Sequence, residues 1–171
     1  MNIYVSGPLG YESAERLYKD NRALLEGRFA GFFLRQFEGI AKDLKKESDL
    51  IFKHPGFIYE ITEGGIFRAL WNLGEELESG LIIDLSLIPV RQEVTEILEL
   101  FNESPYECSS KGSFLIASDE DCRLTEGASQ IVYIGRTADT KARLIIEGEN
   151  TRYLTPPSRQ DKDIEDRMSY L

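Results

Sequence analysis

Cysteine, histidine and tryptophan are scarce in this sequence, with two, one and one among 171 residues. Two cysteines, Cys108 and Cys122, are too few for a disulfide scaffold, and neither sits in a C-x-x-C pattern, which suits a reducing, cytoplasmic setting. The lone His54 stands before Pro55 with no second histidine or cysteine near it, so a zinc-type metal site is not expected. Cations are the minority charge. Twenty Lys and Arg against 30 Asp and Glu give a net charge of -10. A field of that sign repels phosphate at long range and argues against nucleic acid or an anionic membrane as partner. No run approaches the ~20 apolar residues that cross a bilayer. The opening MNIYVSGPLG lacks the basic and apolar regions of a secretory signal. No G-x-S-x-G elbow and no Gly-Lys-Ser/Thr phosphate loop is present.

What is present is the make-up of one folded domain, with 42% hydrophobic and 29% charged side chains. Asn2 to Ser6 reads as a strand ending at a Gly/Pro turn. A helix is expected from Tyr11 to Glu26, closed by Gly27, and another from Ala30 to Glu47. The second carries Phe33, Leu34, Phe37, Ile40 and Leu44 inward and Arg35, Lys42, Lys45 and Lys46 toward water. Phe57 to Tyr59 is a short strand, followed by a helix from Glu63 to Leu77 and a strand from Leu81 to Leu85. Pro89 suits the entrance of a helix running to Phe101. Ser113 to Ala117, Gln130 to Gly135 and Ala142 to Glu147 are further strands. The segment Ser118 to Ser129 contains Gly127 and shows little apolar periodicity. The expected class is α+β, one domain over 1–157 with helices on a mixed sheet, then a charged tail over 158–171.

Three glycine turns are the candidate sites. In Thr62-Glu63-Gly64-Gly65, Thr62 is placed to cap a helix and Glu63 suits its positive end. Two glycines there serve either close packing against a strand or the approach of an anion to backbone N–H groups. Ser6-Gly7-Pro8-Leu9-Gly10 reads as a tight turn that only loosely resembles a phosphate turn. Ser109-Ser110-Lys111-Gly112 is either a solvated loop or an anion hold built from hydroxyls and a lysine. Cys108 beside it is either a bystander thiol or a thiolate assisted by Lys111. Acidic pairs such as Glu75-Glu76 and the run Asp119-Glu120-Asp121 read as solvated faces.

The order Thr62-Glu63-Gly64-Gly65-Ile66, Ala69-Leu70-Trp71, Ile88-Pro89-Val90-Arg91 and Ser109-Ser110-Lys111-Gly112-Ser113-Phe114-Leu115-Ile116 resembles the C-terminal domain of the aminoimidazole ribonucleotide (AIR) synthetase superfamily. Within it, the hydrogenase maturation factor branch, the ATP-dependent carbamoyl dehydratases, is most similar. The likeness runs from Tyr4 through Gly135 to Pro156-Pro157. It implies an α+β domain that closes over a nucleotide and substrate held mostly by an N-terminal domain, which supplies acidic ligands for ATP and magnesium. The family's Asp-x-Thr-x-Gly-Gly stands here as Glu60-Ile61-Thr62-Glu63-Gly64-Gly65, with Glu60 in place of Asp. That N-terminal domain has no counterpart in this sequence, and the branch's terminal cysteine is replaced by Arg167-Met168-Ser169-Tyr170-Leu171.

The resemblance thus implies a module without catalysis of its own that binds a nucleotide, a small anionic ligand or a protein partner. The alternative is one half of a split ATP-dependent enzyme. ATP and magnesium are expected only with a partner domain on a separate chain, and self-association as a homodimer is the other partnership. No catalytic or metal residue is assigned. The ligand-binding candidates are Ser6, Gly7, Gly10, Glu60, Thr62, Glu63, Gly64, Gly65, Ser110, Lys111 and Gly112.

Overall fold

Seven strands form one mixed sheet in a computed structural model that describes residues 1–45, 56–122 and 131–157. The strands are β1 (Asn2–Ser6), β2 (Phe57–Glu60), β3 (Gly80–Asp84), β4 (Phe114–Ser118), β5 (Ile131–Ala138), β6 (Arg143–Glu147) and β7 (Asn150–Tyr153). Their spatial order is β2-β4-β1-β5-β3-β6-β7. Only β3 and β6 run parallel; every other neighbouring pair is antiparallel. With five α-helices beside it among the described residues, the architecture is α+β, as the element pattern predicts.

Alternation along the strands divides the apolar residues between two faces. Ile3 and Val5 of β1 and Leu115 and Ala117 of β4 turn toward helix α4 (Gly65–Glu76). That helix covers them with Ile66, Ala69, Leu70 and Leu73, all within one buried cluster. Tyr4, Phe114 and Ile116 occupy the opposite face with Cys122. A separate cluster joins α1 (Tyr11–Asp20), α2 (Arg22–Arg28), α3 (Gly31–Gly39) and α5 (Gln92–Leu100) through Tyr11, Leu25, Phe37, Val94 and Ile97.

Several elements depart from the sequence reading. The helix expected over Tyr11–Glu26 breaks at Asn21, whose φ of -126° and ψ of 32° are not helical and whose side-chain amide donates to the Leu17 carbonyl at 3.0 Å. Breaking there swings Leu25 into complete burial. Gly27 lies inside α2 rather than closing a helix. The next helix tightens after Gly39 into a 3₁₀ turn over Ile40–Asp43. Pro89 precedes α5 without entering it, since Arg91 is the N-cap residue. Strand β7 was not expected at all. His54, Pro55, most of the Ser118–Ser129 segment and the 158–171 tail lie outside the described residues.

Candidate functional site

All three glycine motifs fold as the same object. Tyr11 N–H donates to Pro8 O at 3.1 Å, Gly65 N–H to Thr62 O at 3.1 Å and Ser113 N–H to Ser110 O at 2.9 Å. Each is a four-residue turn whose third residue is a glycine with positive φ: Gly10 at 77°, Gly64 at 82° and Gly112 at 85°. That is the backbone of a type II turn, which an L-residue with a Cβ resists at this position. Gly10 and Gly64 also serve as the N-cap residues of α1 and α4. Thr62 therefore does not cap α4 with its side chain; it contributes the carbonyl that closes the turn.

The register of the sheet brings the turns together. β1 and β2 both end where β4 begins, because each pairs antiparallel with it, Ser6 and Glu60 both lying opposite Phe114. There the turns bond to one another. Gly10 N–H donates to Ser110 Oγ at 2.7 Å, and Ser13 Oγ donates to Ser109 O at 2.8 Å. Ser110 N–H reaches Ile61 O at 3.1 Å, and Ile61 N–H reaches Ser113 O at 2.9 Å. Glu60 Oε1 accepts from Gly112 N–H at 3.0 Å, so this carboxylate ties the end of β2 to the third turn. Close approach at Gly7 and Gly65 completes the junction. A Cβ at Gly7 would stand 2.6 Å from Gly112 O, and one at Gly65 2.3 Å from Tyr106 O.

Ser6, Gly7, Gly10, Glu60, Thr62, Gly64, Gly65, Ser110 and Gly112 thus share one rim of the sheet, whereas Glu63 and Lys111 are exposed at the tips of their turns. Within the rim the N–H groups of Gly10, Gly65 and Gly112 are already engaged by protein acceptors. Chemically, the junction is a tight knot of backbone. Space for a ligand opens beside it.

The first such space is a cavity of about 230 Å³ bordering Gly64, with Phe67, Arg68, Glu107, Arg152 and Thr155 in its wall. Arg152 lies over the Phe67 ring at 5.2 Å, and Phe67 stacks on Tyr106 at 5.8 Å. Two guanidiniums, one carboxylate and an aromatic face border this cavity, and Arg152 also stands 3.7 Å from Glu147. Burial, aided by Glu103 and Glu12, pushes the nearby Cys108 thiol up to about 11, which favours its protonated form.

The second is a larger cleft of about 840 Å³ that begins at Gly7 and Pro8. Of the ligand-binding candidates, Gly7 alone borders it among the described residues. Its cations Arg35, Lys42 and Lys45 stand at helical spacings of seven and ten residues, a pattern that in sequence reads as the solvated face of a helix, and Arg91 comes from a distant loop.

No family model and no curated protein matches the sequence. Solved structures do. The hydrogenase maturation protein HypE of E. coli superposes with a TM-score of 0.65 at 19% identity, covering 91% of this chain and 49% of the other. The fold is AIR synthetase-like. A hydrogenase maturation protein HypE in complex with ATP matches with a TM-score of 0.60 and 13% identity, over 92% of this chain and 51% of that one. Thiamine monophosphate kinase from Aquifex aeolicus gives 0.59 and 16%, over 91% and 51%. The chain spans about half the length of the structures it matches.

Among the described residues, no three His, Cys, Asp or Glu side chains converge as metal ligands. The Glu60 carboxylate is held by the Gly112 N–H.

Proposed function

We propose that this domain is a ligand-binding module of AIR synthetase-like fold, resembling the C-terminal domain of the hydrogenase maturation branch, which performs no catalysis by itself. Its ligand is a nucleotide or another small anion received beside the second glycine turn. The observation that carries this reading is the cavity at Gly64, where Arg68 and Arg152 bring two guanidiniums to an aromatic wall in a chain of net charge -10. Phosphoryl transfer needs positioned metal and clustered positive charge around the transferred group. The described acidic residues supply no such metal cluster. Thr62, Glu63, Gly64 and Gly65 would shape the mouth of the site, while Ser6, Gly7, Gly10, Glu60, Ser110, Lys111 and Gly112 hold or flank the rim behind it.

A second reading is favoured by the coverage of about half of each matched structure, one of which is a complex with ATP. In it, the domain works as one half of an ATP-dependent enzyme whose other half supplies the magnesium and triphosphate ligands, with Gly64 and Arg68 facing the shared nucleotide.

Thermal melting with ATP, ADP and AMP, with and without magnesium, tests the first reading. Binding at a hundredfold excess over Kd stabilises by about 2.7 kcal/mol. The expected result is a rise in Tm that Arg152→Gln diminishes, without ATP turnover. A defined product from ATP and the isolated chain overturns it. Recovery of a stoichiometric partner bearing an acidic nucleotide-binding domain, followed by turnover in the mixture only, supports the second reading.

A further inference from the structure

The sheet ends at β7 with an open edge. β7 pairs with β6 on one side and with no other strand among the described residues. All four of its residues are exposed, and Tyr153 is 73% exposed. Natural edge strands are guarded by brevity, by proline or lysine, or by charge directed at the approaching chain. Of these β7 has only brevity. Its single charge, Arg152, is drawn over the Phe67 ring at 5.2 Å and toward Glu147 at 3.7 Å.

The ladder to β6 fixes which backbone groups face outward. Along an antiparallel pair, residues that exchange both backbone hydrogen bonds alternate with residues that exchange none. Leu154 N–H donates to Arg143 O at 2.8 Å, so Leu154, and by alternation Arg152 and Asn150, bond toward β6. Thr151 and Tyr153 therefore direct their N–H and C=O groups away from the sheet. The Tyr153 side chain stands opposite the half-buried Leu144, on the face that α4 does not cover. The edge also differs in charge from the rest of the molecule. In a chain of net charge -10, residues 150–157 hold no acid, so two copies meet there with less repulsion than elsewhere.

We propose that β7 pairs antiparallel with β7 of a second copy of this chain, about a twofold axis at Tyr153, joining the two sheets into one. The register follows from the residues. With Tyr153 facing Tyr153 of the second copy, Thr151 comes opposite Thr155 and Arg152 opposite Leu154, the reciprocal pattern of a twofold interface. Three hydrogen-bonding pairs then supply about six N–H to C=O bonds. An axis at Arg152 sets two guanidiniums directly opposite each other, which is unfavourable. An axis at Thr151 carries the pairing into the turn at Gly148, whose φ is 63°. An axis at Leu154 asks Pro157 for an N–H that it lacks. The Tyr153 register avoids all three. Arg152, Leu154 and Thr155 also border the Gly64 cavity, so the pairing brings Leu154 of the second copy beside Arg152 at the cavity's margin.

Sedimentation velocity of the full chain over a range of concentrations is expected to show monomer passing into dimer. Thr151→Pro removes an N–H that faces outward rather than toward β6, and proline is tolerated at such edge positions. It is expected to keep its circular dichroism melt and to weaken the dimer at least about tenfold, since two N–H donors are lost per dimer. A second measurement does not depend on that variant. Tyr153→Cys places two thiols across the axis with Cα atoms about 5.5 Å apart, within the span of a disulfide. Mild oxidation is expected to give a covalent dimer of Tyr153→Cys but not of Thr151→Cys, whose two copies stand on the order of 14 Å apart. The wild-type chain, with Cys108 half-buried and Cys122 buried, controls for cross-linking through the native thiols. A monomer at every concentration overturns the proposal, as does a dimer that Thr151→Pro leaves unchanged or equal cross-linking of the two cysteine variants. Absence of nucleotide binding removes the function proposed above and leaves this pairing standing.

Discussion

At the scale of single residues, glycine is required for two separable reasons, and substitutions distinguish them. Gly148 has a φ of 63° and open space where a Cβ would go. Gly7 has a φ of 98°, and its Cβ would meet backbone, with Gly112 O at 2.6 Å and Ser113 Cα at 2.8 Å. Gly148→Ala is therefore expected to cost about 1 kcal/mol, the strain of a left-handed alanine alone. Gly7→Ala adds an overlap that no side-chain rotation relieves and is expected to cost about 3 kcal/mol or more. Urea denaturation of the two variants gives the comparison; equal losses would mean that the rim yields. Cys108 offers a second check. Burial lifts its thiol from an ordinary 9.0 to about 11, and Cys122 is lifted for the same reason. Between those pH values the unfolded chain has released a proton that the folded chain keeps, so stability falls as pH rises from 9 toward 11. Tyr11, pushed up to about 12 by burial and Glu15, extends the decline. Cys108→Ser is expected to flatten the lower part of that slope in thermal melts, and iodoacetamide is expected to label Cys108 more slowly in the folded protein than in urea.

Among the elements, legibility follows burial. Strands β1, β3, β4 and β6 announce themselves because their β-branched residues are needed in the core, and Ile3, Val5, Leu81, Ile83 and Ile145 are nearly inaccessible. β7, Asn-Thr-Arg-Tyr, is exposed throughout and exists because it pairs with β6 across a short turn, Ile145 opposite Arg152. Tertiary pairing made that strand, and no apolar alternation was there to be read. The break at Asn21 was hidden for a similar reason, since α1 and α2 share one helical periodicity that only the packing of Leu25 and Phe37 interrupts. One contact between elements is directly testable. Arg143 of β6 lies over the ring of Trp71 at 4.1 Å, beside Gly74, and pairs with Glu75. It fastens β6 to α4. Arg143→Ala is expected to cost about 2 kcal/mol, from the lost cation–π and charge-assisted contacts. Because Trp71 is the sole tryptophan, its fluorescence reports the same change, with emission expected to move to longer wavelength as water reaches the ring.

For the molecule as a whole, the sequence showed which residues turn but not where the turns meet. Glycine at the third position of each tetrapeptide is a local requirement, visible in one chain segment. Their meeting depends on β4 lying between β1 and β2, a pairing between residues more than fifty positions apart. The basic cleft was less legible still, because it exists only once Gly112 has moored the segment that carries Lys45 opposite Arg91. Charge at this scale yields a prediction with opposed signs. A net charge of -10 loads the folded state with self-repulsion, which salt screens over a Debye length of about 10 Å at 0.1 M. The exposed pairs Lys19–Glu15 and Arg22–Glu26 weaken under the same screening, but such pairs contribute little. Raising sodium chloride from 20 to 300 mM is therefore expected to raise Tm by a few degrees, at about 2–4 °C per kcal/mol for a chain of this length. A fall in Tm would show that local ion pairs outweigh the global repulsion.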